Sequence, residues 1–258
     1  MPPLVSIITP SYNQARFLEE TIQSVLSQDY PHLEYLIVDG GSTDGSLEII
    51  QRYADRLAWW VSEPDRGQTD AINKGFNQAR GQVLAWLNSD DTYLPGAISQ
   101  AVACLQAHPE AVLVYGDADL VDAQGKLLGP FPARQTNLRR MLRGSVHIPQ
   151  QASFFRAELW PLVGPLDPDF YFAMDYDLWL RLAKQGKFVY TPQRWASFRL
   201  HQAGKTQVSD DRCYPEMIRA ARRLTGRPPL ALIFRWGLRR IFYAWLPQRV
   251  RLWLRRSV

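Results

Sequence analysis

The sequence predicts an α/β fold in which helices cover both faces of a mostly parallel β-sheet, followed by a basic, helical C-terminal tail. Apolar runs of strand length alternate with segments of helical periodicity up to residue 117. This alternation is typical of β-α-β units, whose strands run parallel. A content of 46% hydrophobic and 21% charged residues is that of a globular chain.

Five apolar runs predict the strands of this sheet. They cover residues 5–9, 33–39, 57–63, 82–88 and 111–117. The segments between them predict helices at residues 16–28, 46–54, 69–79 and 95–107. In the first of these helices the apolar residues recur at a spacing that places them on one face. A later helix is predicted to begin near Met174.

Polar clusters follow the first four predicted strands. They read PSYN (10–13), DGGSTD (39–44), EPDRGQ (63–68) and NSDD (88–91). Ligands of parallel sheets bind beyond the carboxyl ends of the strands, so four clusters at that edge indicate one shared site. Taken alone, residues 88–91 would also suit a turn, because Asn, Ser and Asp hydrogen-bond their own backbone.

The neighbouring carboxylates Asp90 and Asp91 predict a site for a hard divalent cation, which prefers oxygen ligands. Such an ion can bridge a diphosphate and neutralise the charge that develops as the diphosphate leaves. Asp39 is suited to accept a hydrogen bond from a nucleobase or ribose, and a capping role in the loop after it is equally compatible with its position. The glycines at 40, 41 and 45 do not form a GxGxxG dinucleotide fingerprint.

Three segments resemble the family 2 glycosyltransferases, which have the Rossmann-like GT-A fold. They are VSIITPSYNQARFLEETIQSVLSQDYPHLEYLIVDGGSTDGS, SEPDRGQTDAINKGFNQARG and LNSDDTYLPGA. The resemblance extends from about residue 4 to about residue 206. It implies that a hexosyl unit is transferred with inversion from a nucleotide-diphosphate sugar to a saccharide or lipid-linked acceptor. It also implies a requirement for Mg²⁺ or Mn²⁺.

The resemblance assigns roles to individual residues. A nucleotide-binding pocket is implied at Thr9, Pro10, Tyr12, Asp39, Asn73, Lys74, Asn88 and Asp90. Metal ligands are implied at Asp90, Asp91 and His201. Asn88 stands where many members of the family have Asp, so the two aspartates are the stronger metal candidates. For His201, which ends a strand-like run, a structural role is the alternative.

An inverting transfer needs a general base for the acceptor hydroxyl, and Asp175 is the candidate. The helix predicted from Met174 places Asp175 on its apolar side. The other residues of that side are Leu178, Trp179 and Leu182. Partial burial raises the pKa of a carboxyl group, the helix N-terminus lowers it, and a helix cap is the alternative role. Asp177, four residues before Arg181, predicts a solvated ion pair.

The resemblance agrees with this choice of base, with Met174 in place of the acidic neighbour that is usual in the family. It also puts Gln150 and Gln151 on the acceptor side, where their amide groups suit sugar hydroxyls. Arg199 and Lys205 could contact phosphate, and a solvated surface position is the alternative for both.

The charge of the chain is strongly asymmetric. Up to Glu216 there are 19 Lys and Arg against 25 Asp and Glu, whereas the last 42 residues hold 11 Arg and no acid. An acidic body argues against a nucleic-acid partner. The tail mixes Arg with Trp, and its apolar part is too short and too charged to span a bilayer. It therefore predicts peripheral membrane contact, with packing on the catalytic domain or on a second subunit as the alternative.

The predicted domains are a catalytic domain at 1–206 and a tail at 207–258. Within the first, a nucleotide-sugar half reaches about residue 117 and an acceptor half covers 118–206. The N-terminus has no signal-peptide pattern, and Cys104 and Cys213 have no metal or redox spacing. These features predict a cytoplasmic protein at the inner face of the membrane.

Two rival functions share part of this pattern. A sugar nucleotidyltransferase would want a glycine-rich phosphate loop after the first strand, and TPSYNQARF contains no Gly. A non-catalytic sugar-nucleotide or carbohydrate-binding module would tolerate the loss of acids at the metal and base positions, yet Asp90, Asp91 and Asp175 are present.

Overall fold

One mixed sheet forms the centre of the computed structural model, which describes residues 2–131, 133–202, 204–205 and 212–245. Within these residues its strands are β1 (Val5–Ser11), β2 (Leu33–Asp39), β3 (Trp59–Ser62), β4 (Val83–Trp86), β5 (Thr92–Tyr93), β6 (Ala111–Val121), β7 (Leu127–Pro130), β8 (Ser153–Arg156) and β9 (Lys187–Arg199). The strand order is β3-β2-β1-β4-β8-β6-β9-β5, and β7 pairs with β6.

The first four strands form the parallel half of the sheet. β1 pairs in parallel with β2 and with β4, and β2 pairs in parallel with β3. Every residue of β1 is buried, as expected of a central strand that is covered on both faces. The carboxyl ends of these four strands therefore lie at one edge of the sheet.

The second half of the sheet brings the carboxyl end of β9 to that same edge. β8 runs antiparallel to β4 and β6, while β9 runs parallel to β6. The short strand β5 pairs antiparallel with β9, Thr92 opposite Ser197 and Tyr93 opposite Ala196. This pairing sets residues 88–91, which precede β5, beside the residues that end β9.

The helices are α1 (Ala15–Leu26), α2 (Ser46–Arg52), α3 (Gln68–Gln78), α4 (Ala97–Ala107), α5 (Leu138–Met141), α6 (Trp160–Val163), α7 (Met174–Leu182), α8 (Cys213–Thr225) and α9 (Leu230–Trp245). The α/β class and the elements predicted up to residue 117 are confirmed, with small differences at their ends. β6 differs most, because it continues to Val121. The helix predicted near Met174 begins at that residue.

Two apolar cores pack on the two faces of the sheet. Alternate residues of β1 illustrate the division, since Ile7 belongs to one core and Ile8 to the other. The core that contains Ile7 includes residues of α1 and α4, whereas the core that contains Ile8 includes residues of α3, α7 and α8. At Gly75 of α3 a Cβ atom would come within 2.5 Å of Ile8, so glycine permits the close approach of this helix to β1.

The first part of the predicted tail packs into the body of the protein. Met217, Ala220 and Ala221 of α8 and Leu232 of α9 are buried in the same core as α7. Residues 207–211 and 246–258 of the predicted tail lie outside the described residues. Among the helices that the structure describes, none has both the length and the apolar character needed to cross a membrane.

Candidate active site

A cavity of about 1030 Å³ opens at the carboxyl ends of the parallel strands. Residues that end or follow β1 to β4 contribute Pro10, Ser11, Tyr12, Gly40, Gly41, Asp65, Gln68, Asn88 and Asp90 to its lining. Later parts of the chain contribute Gln150, Gln151, Tyr171, Asp175, His201 and Lys205. The four polar clusters singled out in the sequence and the candidate base therefore line one cavity.

Asp39, at the end of β2, is fully buried behind the glycines of this wall. Its Oδ2 accepts hydrogen bonds from the backbone N–H groups of Gly41 at 3.1 Å and Ser42 at 2.9 Å, and from the Ser62 hydroxyl at 2.7 Å. Its Oδ1 accepts one bond, from the Ser42 hydroxyl at 2.6 Å. The carboxylate thus holds the loop after β2 in place, and Oδ1 keeps capacity for a second donor.

Three other residues of the predicted nucleotide pocket are outside the cavity lining. Thr9 is buried, with its hydroxyl 3.0 Å from that of Tyr35. The side chain of Asn73 exchanges two hydrogen bonds with the backbone of Leu166, at 2.8 and 2.9 Å. Lys74 forms an ion pair with Glu63 at 2.9 Å. These contacts join elements around the site.

Asn88 connects three parts of the site. Its Oδ1 accepts a hydrogen bond from Nε2 of Gln68 at 2.7 Å, and its Nδ2 donates to Asp91 and to Gln150, each at 3.3 Å. Gln68 Oε1 in turn accepts a bond from Nζ of Lys205 at 2.8 Å. A chain of side chains therefore runs from the end of β4 across the cavity lining to the loop after β9.

Asp90 and His201 are the two predicted metal ligands that the structure brings together. Oδ2 of Asp90 lies 2.8 Å from Nε2 of His201, and both residues line the cavity. The His201 ring also packs on Phe17, with 4.8 Å between the ring centroids. Across the described ranges, three or more His, Cys, Asp or Glu side chains nowhere cluster in a way that could hold a metal ion.

The third predicted ligand, Asp91, is 1% exposed and does not line the cavity. Its Oδ1 accepts the backbone N–H of Arg199 at 3.0 Å, and its backbone carbonyl accepts the Thr21 hydroxyl at 2.7 Å. Burial, and secondly the charge of Asp90, raises the pKa of Asp91 well above its ordinary value. These contacts join the loop after β4 to β9 and α1.

The sequence analysis suggested that Arg199 could contact phosphate. In the structure its guanidinium group is already occupied by protein acceptors. It donates to the backbone carbonyl of Asp90 at 2.9 Å and to Glu20 at 2.6 Å, and it is 4% exposed. The pairing of β5 with β9 explains this position, since it draws Arg199 under the loop that carries Asp90. The residue stabilises that loop.

The two glutamines predicted on the acceptor side, Gln150 and Gln151, both line the cavity. Gln150 donates to the backbone carbonyl of Trp86 at 2.7 Å. Gln151 is 3% exposed, and its Nε2 is buried without a hydrogen-bond partner. An amide group in that position has an unused donor for a ligand.

Asp175 lies in the first turn of α7 and lines the cavity, as predicted. Its Oδ1 accepts the backbone N–H of the next residue, Tyr176, at 2.6 Å. Burial raises the pKa of Asp175 to about 6, while the bond from Tyr176 and the charge of Lys205 oppose this rise. The group is therefore ionised at neutral pH and basic enough to accept a proton there.

The prediction of a solvated ion pair between Asp177 and Arg181 is wrong, because Asp177 is buried and the side chain of Arg181 is only 20% exposed. Asp177 is 4% exposed and accepts Nε of Arg181 at 2.9 Å. Arg181 also donates to the backbone carbonyls of Val163 and Gly164. The sequence does not reveal that the segment 160–164 covers the side of α7 that carries this pair.

The sequence analysis gave no role to three residues that line the cavity or support its wall. Gln68 was part of a polar cluster but was given no role. Tyr171 is 57% exposed, and Nζ of Lys205 lies 4.0 Å from the centroid of its ring. Glu216 of α8 accepts backbone N–H groups of the segment before α7. An Asp-rich motif can be recognised in the sequence alone, whereas these three residues reach the site through contacts between distant parts of the chain.

Comparison with known sequences gives a family match and several relatives. A profile described as "Glycosyl transferase family 2" matches residues 6–159. An uncharacterized glycosyltransferase of Mycobacterium tuberculosis is 36% identical over 184 residues, which are 70% of this chain and 69% of that protein. The O-antigen biosynthesis protein RfbC of Myxococcus xanthus is 34% identical over 189 residues, which are 70% of this chain and 14% of RfbC.

Two solved structures have the same fold. S. aureus TarS 1-349 in complex with UDP-GlcNAc has a TM-score of 0.67 at 19% identity, with 86% of this chain and 66% of that chain covered. The mannosyltransferase PcManGT from Pyrobaculum calidifontis, in complex with GDP-Man and Mn²⁺, has a TM-score of 0.68 at 22% identity. That match covers 92% of this chain and 69% of the mannosyltransferase chain.

Proposed function

This chain is a glycosyltransferase that belongs to glycosyl transferase family 2, and on that basis we propose a metal-assisted, inverting transfer from a nucleotide-diphosphate sugar to an acceptor hydroxyl. The observation that carries the proposal is the shared cavity of Asp90 and Asp175. A group suited to a diphosphate and a group suited to an acceptor proton line the same space. The likeness to an O-antigen biosynthesis protein supports a saccharide or lipid-linked acceptor in polysaccharide assembly at the cell envelope.

The donor nucleotide would occupy the wall formed by the ends of β1, β2 and β4. Pro10 and Tyr12 line this wall, and Tyr12 is 62% exposed, so its ring is free to contact a nucleoside. Asp39 does not line the cavity, so the spare capacity of its Oδ1 would serve a nucleobase N–H that reaches past Gly40 and Gly41. Bound nucleotide sugars in both structural neighbours, UDP-GlcNAc and GDP-Man, support this class of donor.

The donor atoms of this chain fit a divalent ion if the nucleotide completes the coordination. Asp90 and His201 would hold the ion, and phosphate oxygens and water would supply the remaining ligands. The oxygens of the carboxylate, the phosphate and water are the ligands that Mg²⁺ and Mn²⁺ favour. When bound, the ion would neutralise negative charge on the leaving diphosphate. The Mn²⁺ in the mannosyltransferase PcManGT supports this assignment.

Asp175 would act as the general base. It accepts the proton of the acceptor hydroxyl while that oxygen forms a bond to the anomeric carbon, and the bond from this carbon to the phosphate oxygen breaks. The nucleoside diphosphate leaves with the electron pair of the broken bond. Lys205, whose Nζ already lies 2.8 Å from Gln68 Oε1, adds a positive charge on the same cavity wall for the leaving group.

A nucleotide-sugar screen tests the proposed activity. We expect UDP-GlcNAc, GDP-Man or a dTDP-sugar to raise Tm by about 5 °C or more near 100 times its Kd, because ligand binding stabilises the folded chain. Mn²⁺ should increase the shift, and the same sugar should release nucleoside diphosphate on incubation with the enzyme. Free N-acetylglucosamine and free mannose are the controls. If no nucleotide sugar shifts Tm, with or without Mn²⁺, the proposal is wrong.

We also propose that α9 contacts an anionic membrane surface. Among residues 230–240 the large exposed apolar side chains share one helix face; they are Leu230 at 72%, Ile233 at 37%, Phe234 at 68% and Leu238 at 51% exposure. The opposite side carries Leu232, which is buried in the core. Since the last 42 residues hold 11 Arg and no acid, anionic headgroups are the complementary partner.

Flotation with vesicles tests this surface in the full chain. The double variant Phe234→Ser, Leu238→Ser is expected to bind vesicles of phosphatidylglycerol and phosphatidylcholine on the order of tenfold more weakly, because two apolar side chains are lost. Leu127→Ser, Leu128→Ser is the matched control, since those leucines are 56% and 55% exposed on β7. Substitutions are preferable to a truncation at residue 216, which would remove buried residues of α8.

Two outcomes would contradict the membrane proposal. One is equal flotation of the parent chain and the double variant. The other is a parent chain that forms dimers without vesicles and a variant that is monomeric by analytical ultracentrifugation, which would assign the surface to a second copy of the chain.

A further inference from the structure

The helix that carries Asp175 begins without a side-chain cap from its N-cap residue. Ala173 occupies the N-cap position of α7, and no side chain of the helix caps it. The carboxylate of Asp175 is engaged by the N–H of its neighbour Tyr176. Backbone N–H groups around the start of a helix need acceptors from elsewhere when the local sequence offers none.

Glu216 of α8 supplies those acceptors from a distant part of the chain. Its Oε2 accepts the backbone N–H of Phe172 at 2.7 Å and of Ala173 at 2.9 Å, and its Oε1 accepts that of Tyr171 at 3.2 Å. One carboxylate therefore binds three consecutive backbone N–H groups, those of residues 171–173, immediately before the first turn of α7, which carries Asp175. Hydrogen bonds to an ionised acceptor are stronger than those between neutral groups.

The position of Glu216 is itself fixed by the core. It lies in the first turn of α8, and the residues that follow it in that helix, Met217, Ala220 and Ala221, are buried against the core that contains α7. Moving the carboxylate would therefore require α8 to shift. Met174, which follows the held segment, is fixed on its other side by the Thr69 hydroxyl, 3.0 Å from its sulfur.

We infer that Glu216 is a positioning residue for the proposed general base, Asp175. Glu216 acts on Asp175 by holding the backbone of residues 171–173, and also through its negative charge. This inference rests on the proposed function of Asp175. Glu216 lies beyond the segment 6–159 that matches the family profile. It would supply, from α8, a carboxylate beside the turn in which Met174 stands at the position of the family's usual acid.

The charges around Asp175 give the inference a measurable signature. Burial is the main cause of the raised pKa of Asp175, the negative charge of Glu216 raises it further, and the positive charge of Lys205 lowers it. The Cys213 thiol is a further titratable group of the cavity lining, and Asp177 on the same helix is paired with Arg181. Removing the charge of Glu216 should therefore lower the pKa of Asp175.

Glu216→Gln removes the charge and keeps one acceptor oxygen for the backbone N–H groups, whereas Glu216→Ala removes the charge and both acceptor oxygens. For Glu216→Gln we expect the acidic limb of the pH–rate profile to move to lower pH, with an unchanged KM for the nucleotide sugar. Glu216→Ala should lower kcat on the order of 10- to 100-fold, because small displacements of a catalytic group have effects of this size. Glu48→Gln is the matched control, since Glu48 is an exposed acid in the first turn of α2.

A titration of the Asp175 carboxyl group by carbon-13 NMR gives a readout that needs no substrate. The pKa of Asp175 should be lower in Glu216→Gln than in the parent chain and unchanged in Glu48→Gln. An unchanged pKa and an unmoved acidic limb would overturn the inference, even if both Glu216 variants lost thermal stability. If instead Asp175→Asn kept full turnover, the proposed base would be wrong regardless of the Glu216 results.

Discussion

Asp175→Asn is expected to lower turnover by about 10²- to 10⁴-fold, the usual contribution of a general base. Asn keeps the shape of Asp but cannot take the proton of the acceptor hydroxyl. Nucleotide binding should persist, because the residues proposed to hold the nucleotide end or follow β1, β2 and β4, whereas Asp175 is on α7. The measurements are nucleoside diphosphate release and the Tm shift that the nucleotide causes with Mn²⁺.

The pH dependence of the parent enzyme should report the same group. Because burial raises the pKa of Asp175 to about 6, the rate is expected to fall as the pH drops through that value and the base becomes protonated. The residual activity of Asp175→Asn should not have this limb. A profile of the parent enzyme that stays flat down to pH values near 4, the ordinary range of a carboxyl group, would contradict the assignment.

The raised pKa also predicts that this variant is more stable than the parent chain. The folded protein binds the Asp175 proton more tightly than the unfolded chain does. The cost of ionising this group to the free energy of folding therefore grows as the pH rises from about 3.8 to about 6, and it stays at its full value above that. At neutral pH, Asp175→Asn should have the higher Tm, and the difference should shrink as the pH falls towards 4. Loss of turnover then cannot be ascribed to unfolding.

Asp169→Asn is the matched control for these experiments. Asp169 is exposed and precedes α7 by a few residues, and it does not line the cavity. Its substitution should leave turnover, the pH profile and Tm close to those of the parent chain. Turnover of Asp175→Asn that is within a factor of a few of this control would remove Asp175 from the mechanism.

The parallel half of the sheet was predictable because its signals are local. Val5–Ser11 and Leu33–Asp39 are mostly apolar strands with almost continuous burial, and the helices after them carry apolar residues at helical spacing. The placement of four polar clusters at one edge followed from strand direction alone, and the cavity is located there. The position of Asp175 in the first turn of a helix could be predicted because helical periodicity can be judged from a few neighbouring residues.

The other half of the sheet depends on contacts between distant parts of the chain. The insertion of β8 between β4 and β6, and the pairing of β5 with β9, are not encoded in any single segment. These pairings bury Arg199 under the loop of Asp90 and bring His201 to Asp90. The sequence analysis gave Arg199 and Lys205 the same role, and both line the cavity, but the packing shows that the Arg199 guanidinium group is already bonded to Asp90 and Glu20.

Asp90→Ala is expected to abolish the enhancement of nucleotide binding by Mn²⁺ and to lower turnover on the order of 10²-fold or more. The estimate follows from the several kcal/mol of charge stabilisation that a bound divalent ion supplies to a leaving phosphate. Because the protein offers two donor side chains here, Asp90 and His201, losing one leaves too few ligands to hold the ion. The measurement is a Mn²⁺ titration followed by Tm in the presence of the nucleotide identified in the screen.

Two comparison variants, Asp91→Asn and Asp55→Asn, test whether the loss of the Mn²⁺ response is specific to Asp90. Asp55 is exposed and outside the cavity, so Asp55→Asn should respond to Mn²⁺ like the parent chain. Asp91 accepts the N–H of Arg199 and does not line the cavity, so Asp91→Asn should retain a Mn²⁺ response. If Mn²⁺ still strengthened nucleotide binding in Asp90→Ala but not in Asp91→Asn, the ion would have to be assigned to Asp91, and the loop between β4 and β5 would have to rearrange when nucleotide binds.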